Sequence, residues 1–357
     1  MVGDIPSLAA VAFPSARDAE RRVAGLPAAA RIVGELAEAG FAGVWLTVPD
    51  GDSIGAATMD EVHRLGGPIA VWTGAPEADQ AVTVVPSDRL VPAATLRALR
   101  NGQAFGPAAS IDLRSPRAAA EILARTGKAG DGPVSRWLNR PVSRRLSALL
   151  LRIPGLRPIH ATAGTVVLAL LMFAALVAGG PVGLIAGGLL FHAASVFDGI
   201  DGEVARATHR TSQAGATLDS LVDAATNGLM IVGVTANLAL AGHERATLLG
   251  GWGLALFVIG QGLIAGRAAR SNAPVGFDGL KHHYRARMTG PIGARLIRFL
   301  TVVTSRDFFA LLFAALILAG WAIAVLYIFA AAATVWIVFV AASLLAPPGS
   351  GLATDPS

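Results

Sequence analysis

Four long stretches without a charged side chain constrain this sequence more than any other feature. No Asp, Glu, Lys or Arg occurs from Ala161 to Phe197, from Ala224 to His243, from Ala246 to Gly266 or from Phe308 to Thr354. A bilayer core of ~30 Å takes about 20 apolar residues as a helix, so each stretch is long enough to cross one. The first is interrupted by Gly179-Gly180-Pro181 and fits two spans; the last fits two with a turn near Gly320-Trp321. The pattern predicts six transmembrane helices, near 160–178, 183–208, 213–241, 246–270, 305–320 and 323–345. Only 15% of the 357 residues are charged, against roughly 25% in soluble domains. An ordinary soluble fold is therefore excluded.

The few charges are unevenly placed. Residues 1–131 carry 12 Lys/Arg and 15 Asp/Glu, whereas residues 132–357 carry 17 and 9. A pI near 10.5 would suggest nucleic acid in a soluble protein. Here the basic half is also the apolar half, so the arginines read as membrane-flanking and no nucleic-acid partner is expected. Six arginines from Arg136 to Arg157 precede the first helix, Arg206 and Arg210 lie between helices two and three, and eight bases from Arg267 to Arg306 lie between helices four and five. The opposite loops hold one base, Arg245. The positive-inside rule then places both termini in the cytoplasm of a multi-pass protein of the inner or plasma membrane. The start, Met1-Val2-Gly3-Asp4-Ile5, has no basic segment followed by an apolar run, so the first domain is expected to stay cytoplasmic. The absence of cysteine excludes disulfides, thiol catalysis and Cys-based metal sites.

Four domain-level segments follow: 1–130, a linker with an amphipathic helix at 131–158, a six-helix domain at 159–346, and a tail at 347–357. In 134–153, Val134, Leu138, Val142, Leu146, Leu149 and Leu150 share one side and arginines the other, which suits a helix lying in the membrane interface. In 1–130, strands are expected at Ala9–Phe13, Val44–Val48, Ile69–Trp72 and Val82–Val85, and helices at Pro27–Ala39 and Met59–Leu65. Strands alternating with helices imply a parallel α/β sheet. Gly127–Gly132 reads as the linker. His63 and Asp52 read as ordinary surface residues, and His160 and His192 as packed or capping.

Five of the nine acids of the second half fall within 198–223: Asp198, Asp201, Glu203, Asp219 and Asp223. Asp198 and Asp201 are spaced i,i+3 and Asp219 and Asp223 i,i+4, so each pair shares a helix face. A short polar turn, Thr208–Gln213, lets the two helices run antiparallel with the pairs opposed. Like charges at a membrane boundary repel and are costly to desolvate. Hard oxygen ligands suit Mg²⁺ or Mn²⁺, and four carboxylates can hold two such ions for phosphoryl transfer. Arg206 and Arg210 lie at the same end and can bind phosphate oxygens. On spacing alone, an ion or proton pathway and structural pairing with arginines remain open beside metal chemistry.

The run Asp198-Gly-Ile-Asp201-Gly202-Glu-Val-Ala205-Arg206, then eight residues, then Gly215-Ala-Thr-Leu-Asp219-Ser-Leu-Val-Asp223 resembles the complete CDP-alcohol phosphotransferase signature, D-x₂-D-G-x₂-A-R-x₈-G-x₃-D-x₃-D. The resemblance covers roughly residues 132–346. It implies an integral membrane enzyme in which Asp198, Asp201, Asp219 and Asp223 hold two divalent cations, Mg²⁺ or Mn²⁺, over the diphosphate of a CDP-linked donor. Asp223 would also take the proton of the acceptor hydroxyl, whose oxygen attacks the β-phosphorus and releases CMP. Gly202, Ala205, Arg206 and Gly215 match donor-binding positions, and Ser212 lies where a hydroxyl adds a phosphate contact. The acceptor is a hydroxyl compound, a lipid among the candidates, and a homodimer is expected. The donor is a soluble CDP-polyol or CDP-diacylglycerol, and the basic segment 281–298 is a candidate for the acceptor's phosphate. The family's Pro-Asn-x-x-Thr before the first helix is here Pro158-Ile159-His160-Ala161-Thr162, with Ile159 in place of Asn.

An α/β domain ahead of such a module resembles the fused inositol-phosphate cytidylyltransferase/di-inositol-phosphate-phosphate synthase enzymes. Val23-Ala24-Gly25-Leu26-Pro27, Val84-Val85-Pro86-Ser87-Asp88 and Asn139-Arg140-Pro141-Val142-Ser143-Arg144 carry that likeness. The first loop departs from it. Such transferases place a Gly-rich turn after the first strand to bind triphosphate, whereas Phe13 to Arg22 contains no glycine, and Pro14 lacks an amide donor. The N-terminal domain is therefore expected to be nucleotidyltransferase-like but degenerate, a scaffold or regulator.

Overall fold

The computed structural model describes residues 8–101, 103, 110–127, 132–271 and 305–345. These fall into two compact units. One comprises Met1–Gly127 with Arg144–Leu156 and Glu203–Arg210; the other comprises Lys128–Ser143, Arg157–Gly202 and Thr211–Ser357. The basic segment 281–298 and the tail 347–357 lie outside the described residues.

The first unit is built on a four-stranded, all-parallel sheet. Its order is β5 (Ala70–Thr73), β4 (Gly43–Thr47), β1 (Leu8–Ala12) and β6 (Thr83–Val84). Leu8 pairs with Gly43 and Gly43 in turn with Ala70. Ala9 and Val11 of β1 are fully buried, as a period-2 strand in the middle of a sheet requires. Helix α2 (Ala28–Glu38) starts behind Pro27, whose fixed φ of −60° suits a helix start. It buries Ala29, Ile32, Val33 and Leu36. Helix α3 (Ala56–Gly66) packs on α2. Trp45 and Trp72 stack across β4 and β5 at 5.0 Å.

The parallel α/β organisation is as expected, with strand and helix bounds shifted by one to three residues. Several short elements were not expected. These are α1 (Ala16–Glu20), the β2–β3 hairpin (Arg22–Val23 with Leu26–Pro27), α4 (Ala93–Arg100), α5 (Ala118–Arg125) and the antiparallel pair β7–β8 (Arg89–Leu90 with Ile111–Asp112). None is long enough to show a hydrophobic period. The hairpin turns through Ala24 (φ 47°) and Gly25 (φ 86°), left-handed positions that glycine adopts without strain.

Helix α6 (Arg140–Leu150) follows a π-helical turn at Ser135–Asn139. Val142 and Leu149 are exposed while Ser143 and Ser147 are buried, so the apolar stripe of 134–153 faces outward. An outward apolar stripe on an arginine-rich helix is the pattern of an interfacial helix.

The second unit is helical: α7 (Pro158–Ala178), α8 (Gly180–Ala207, whose end from Glu203 belongs to the first unit), α9 (Gln213–Leu240), α10 (Glu244–Ser271), α11 (Arg306–Leu318) and α12 (Ala322–Leu345). Five of these, α7–α10 and α12, are long and apolar enough to cross a membrane. The expected sixth span, 305–320, appears as α11, which has 13 residues. At 1.5 Å per residue it covers about 20 Å, short of the ~30 Å hydrocarbon core. It starts at an Arg306-Asp307 pair held by polar partners and stops at Gly320 (φ 80°). Met172, Leu176, Met230, Ile231, Val234 and Val325 form the centre of the bundle. Buried Asn237 donates to the carbonyls of Leu176 (2.8 Å) and Gly180 (3.3 Å). It thereby ties α9 to the backbone on both sides of the break between α7 and α8.

Candidate functional site

Helices α8 and α9 carry the acids, joined by the turn Thr208–Ser212. Ser212 caps α9, its Oγ accepting from the Gly215 amide at 3.0 Å. A Ser N-cap is a common helix start, and it fixes where Asp219 and Asp223 emerge, about two and three turns later. Ser212, between the fixed positions of the signature, thus bonds to one of them, Gly215.

Carboxylate oxygens of Asp198, Asp219 and Asp223 lie within 4.8 Å of one another. Asp201 is not part of this group. Its Oδ2 accepts from the Thr162 hydroxyl at 2.8 Å, and it is 8% exposed. Thr162 is the last residue of the Pro158–Thr162 segment, so that segment touches the acidic site through its threonine, while Ile159 is 51% exposed. His160 accepts from the Arg157 amide at 3.0 Å and caps α7.

Facing the acids is Arg306, which the sequence reading had counted only among the basic loop residues. Its Nη1 bonds Asp198 Oδ2 at 2.6 Å and also pairs with Asp223. The three side chains are 17%, 18% and 27% exposed, respectively. Arg306 opens α11 behind the Ser305 cap, and Asp307 beside it accepts from Asn139 (3.0 Å) and Ser195 (3.0 Å). The available signal was position: Arg306-Asp307 is the last charged pair before the uncharged run 308–354. One guanidinium opposes three carboxylates, leaving an excess of negative charge in a poorly solvated place. A set of hard oxygen donors with that excess fits a divalent cation such as Mg²⁺ or Mn²⁺.

The other signature residues sit at the end of α8. Arg206 donates from Nε to the Thr126 carbonyl at 2.6 Å, and the Ala205 carbonyl accepts from the Arg210 amide at 2.8 Å. Glu203, outside the signature, is 1% exposed and accepts from Ser147 at 2.6 Å. In the first unit, the loop after β1 closes as a capped helical turn. Ser15 Oγ accepts from Asp18 N at 3.2 Å, and Ala16 N donates to Asp52 at 3.1 Å. A row of free amides for a triphosphate is therefore not what this loop presents.

Comparison with known proteins agrees with this geometry. The family model described as CDP-alcohol phosphatidyltransferase matches residues 157–337, which is half of the chain and includes Asp198 to Asp223. The chain belongs to this family. Among similar curated proteins, the "Bifunctional IPC transferase and DIPP synthase" of Aquifex aeolicus is 48% identical over 94 residues, 26% of this chain and 21% of that protein. Its namesake in Thermococcus kodakarensis is 38% identical over 112 residues, 31% and 24% of the two chains. That of Rubrobacter xylanophilus is 36% identical over 131 residues, 37% and 28%. The chain thus spans under a third of the length of these relatives.

Proposed function

We propose that the protein is a membrane CDP-alcohol phosphotransferase. It moves a phospho-alcohol from a CDP-linked donor to an acceptor hydroxyl and releases CMP. The observation that carries this reading is the convergence of Asp198, Asp219 and Asp223 from two helices onto one point inside a complete family signature. Asp198, Asp201, Asp219 and Asp223 are the residues that would hold two divalent cations, with Asp201 turning from Thr162 to join the set. Such ions supply charge stabilisation for the diphosphate and the departing phosphate. Asp223 accepts the proton of the acceptor hydroxyl. The acceptor oxygen forms a bond to the β-phosphorus, the bond from that phosphorus to the bridging oxygen breaks, and CMP leaves with the bridging oxygen. Gly202, Ala205, Arg206, Ser212 and Gly215 line the donor side, and Arg206 exchanges its backbone partner for a phosphate.

The function for which the relatives are named, IPC transfer and DIPP synthesis, supports a CDP-polyol donor over CDP-diacylglycerol. Arginine placement supports cytoplasmic termini, with α11 as a sixth, short span paired with α12. The segment divisions 1–130, 131–158, 159–346 and 347–357, a degenerate nucleotidyltransferase-like first domain and a homodimer complete the reading.

The test is CMP release by purified protein with Mg²⁺ or Mn²⁺ across a panel of CDP-alcohols and acceptors. Turnover is expected with at least one pair. Asp223→Asn should lower it by about 10²–10⁴-fold, the usual worth of a positioned general base, with unchanged thermal unfolding. No CMP from any pair would sink the proposal.

A further inference from the structure

We propose that Arg31 and Arg64 are positioning residues that grip the turn between the two halves of the signature, and that this is what the N-terminal fold does for the reaction. The inference rests on the function proposed above. The turn Glu203–Arg210 belongs to the same compact unit as α2 and α3, so these contacts lie within one body.

A helix end leaves its last carbonyls without intrahelical donors, and they carry partial negative charge. At the end of α8, Arg31 Nη2 donates to the Ala207 carbonyl at 2.9 Å. Arg64 donates from Nη2 to the Thr208 carbonyl and from Nη1 to the His209 carbonyl, each at 3.0 Å. Glu61, which also binds Arg64 at 2.6 Å, pairs with Arg210. Three successive carbonyls and the following side chain are thus held by three residues of α2 and α3. His209, at φ 51°, is the left-handed residue that caps α8, with the Arg210 amide donating to the Ala205 carbonyl at 2.8 Å and the His209 amide to the Arg206 carbonyl at 3.2 Å.

Arg31 is the more telling of the two. It is 4% exposed and also donates to the Val23 and Ala24 carbonyls, both at 2.6 Å. A guanidinium buried that far is stabilised only if its donors are satisfied. Its partners are the β2–β3 hairpin on one side and the α8 end on the other. Gly25 of that hairpin has no room for a side chain, because a Cβ there would lie 2.7 Å from Leu151 and 3.1 Å from Thr208. A generic scaffold would need only apolar contact; here charge-assisted bonds select one turn conformation. That turn sets the direction of Arg206, which lies in the same unit. The first domain therefore lacks a nucleotide-binding loop yet keeps the elements that fix the turn.

The experiment compares the full-length Arg64→Met, Arg64→Lys and Arg31→Met proteins with the parent by amide hydrogen exchange and by kinetics. Arg64 is 33% exposed, so its variants keep the test open if Arg31→Met fails to fold. In Arg64→Met the Thr208–Arg210 amides should exchange at least about tenfold faster, with β1 and β4 protection unchanged. The kcat should fall about tenfold or more with the donor KM little changed. Arg64→Lys should recover part of both losses, and the thermal shift with Mn²⁺ should stay at the parental size. Unchanged exchange in the turn, or faster exchange at unchanged kcat, would overturn the proposal. Exchange needs no substrate, so faster exchange in a protein that releases no CMP at all counts against the enzymatic reading and not against the grip.

Discussion

In the first unit, Val11, Val44 and Leu46 of the sheet and Ile32, Val33 and Leu36 of α2 are each no more than 2% exposed. In the second, large side chains fill notches left by glycine. Leu176 sits where a Cβ on Gly233 would lie 2.7 Å away, Phe329 does the same to Gly253, and Trp336 occupies the space above Gly260. Water drives apolar surfaces of any shape together in the first case. In lipid that drive is missing, so helices must gain from close approach, which small residues permit. The two units also treat charge differently. The first spreads guanidiniums over backbone carbonyls, as Arg31 and Arg64 do, whereas the second gathers acids around Arg306. Burial pushes the Arg31 guanidinium down to about 9, which leaves it charged at neutral pH. Charge in the first unit therefore holds a conformation, and charge in the second collects three carboxylates within reach of one divalent cation.

The strongest way to break that contrast is Arg306→Gln. Removing the cation leaves Asp198 and Asp223 facing each other without their partner, and breaking a buried ion pair costs about 3–5 kcal/mol. Thermal unfolding in detergent should fall sharply in the presence of a chelator. Added Mn²⁺ or Mg²⁺ should restore most of the loss, because an ion that binds the native state stabilises it by mass action. An equal loss with and without metal would mean that Arg306 is an ordinary structural ion pair and that the second unit uses charge as the first does.

A smaller effect tests the packing. Gly260→Ala places a methyl into the Trp336 ring and should cost about 1–3 kcal/mol, the usual penalty of overpacking. Gly262→Ala, with open space around it, should cost far less. Thermal unfolding of the two variants measures the difference. Equal stabilities would show that notch filling does not hold the bundle.

What could be read from the chain alone follows the same division. The spans were legible because a bilayer demands some 20 apolar residues in a row, and the acids stood out because charge is rare there. The stop of α11 near Gly320 was legible in the sequence, whereas its described length of 13 residues, Arg306–Leu318, was not, because an uncharged run does not fix where its helix begins. Arg306 escaped attention because it lies 83 residues beyond Asp223, its ion-pair partner, and no local spacing links them. The signature groups Asp201 with the other acids, whereas its hydrogen bond from the Thr162 hydroxyl, supplied by another helix, was not legible in local spacing. In the first unit the parallel sheet was visible in alternation, whereas the β2–β3 hairpin was not, since two-residue strands have no period. The missing glycine in the first loop was legible, and the structure supplies its physical form in the Ser15 cap.

That cap gives a prediction confined to the first unit. Ser15→Ala removes the acceptor for the Asp18 amide and should cost about 1 kcal/mol. Amide exchange should rise in α1 and leave α9 unchanged. Faster exchange in α9 as well would mean that the two units do not respond independently.

The smallest effect expected is a pH dependence of the first unit. Glu35 of α2 accepts from the Ala93 amide at 2.7 Å. Burial, aided by nearby Glu38, raises its carboxyl above the ordinary value, with the Ala93 bond, Arg31 and Arg125 opposing the shift. The folded state therefore holds the Glu35 proton more tightly than the unfolded state. The stabilisation is complete below the ordinary glutamate value and is lost as pH rises through the raised one. Exchange protection of the Val33 amide, followed in the full chain from roughly pH 4 upward, should carry a falling contribution from this group. Glu35→Gln keeps an oxygen for the Ala93 amide and should flatten that fall. An unchanged slope in Glu35→Gln would place the pH response elsewhere in the unit.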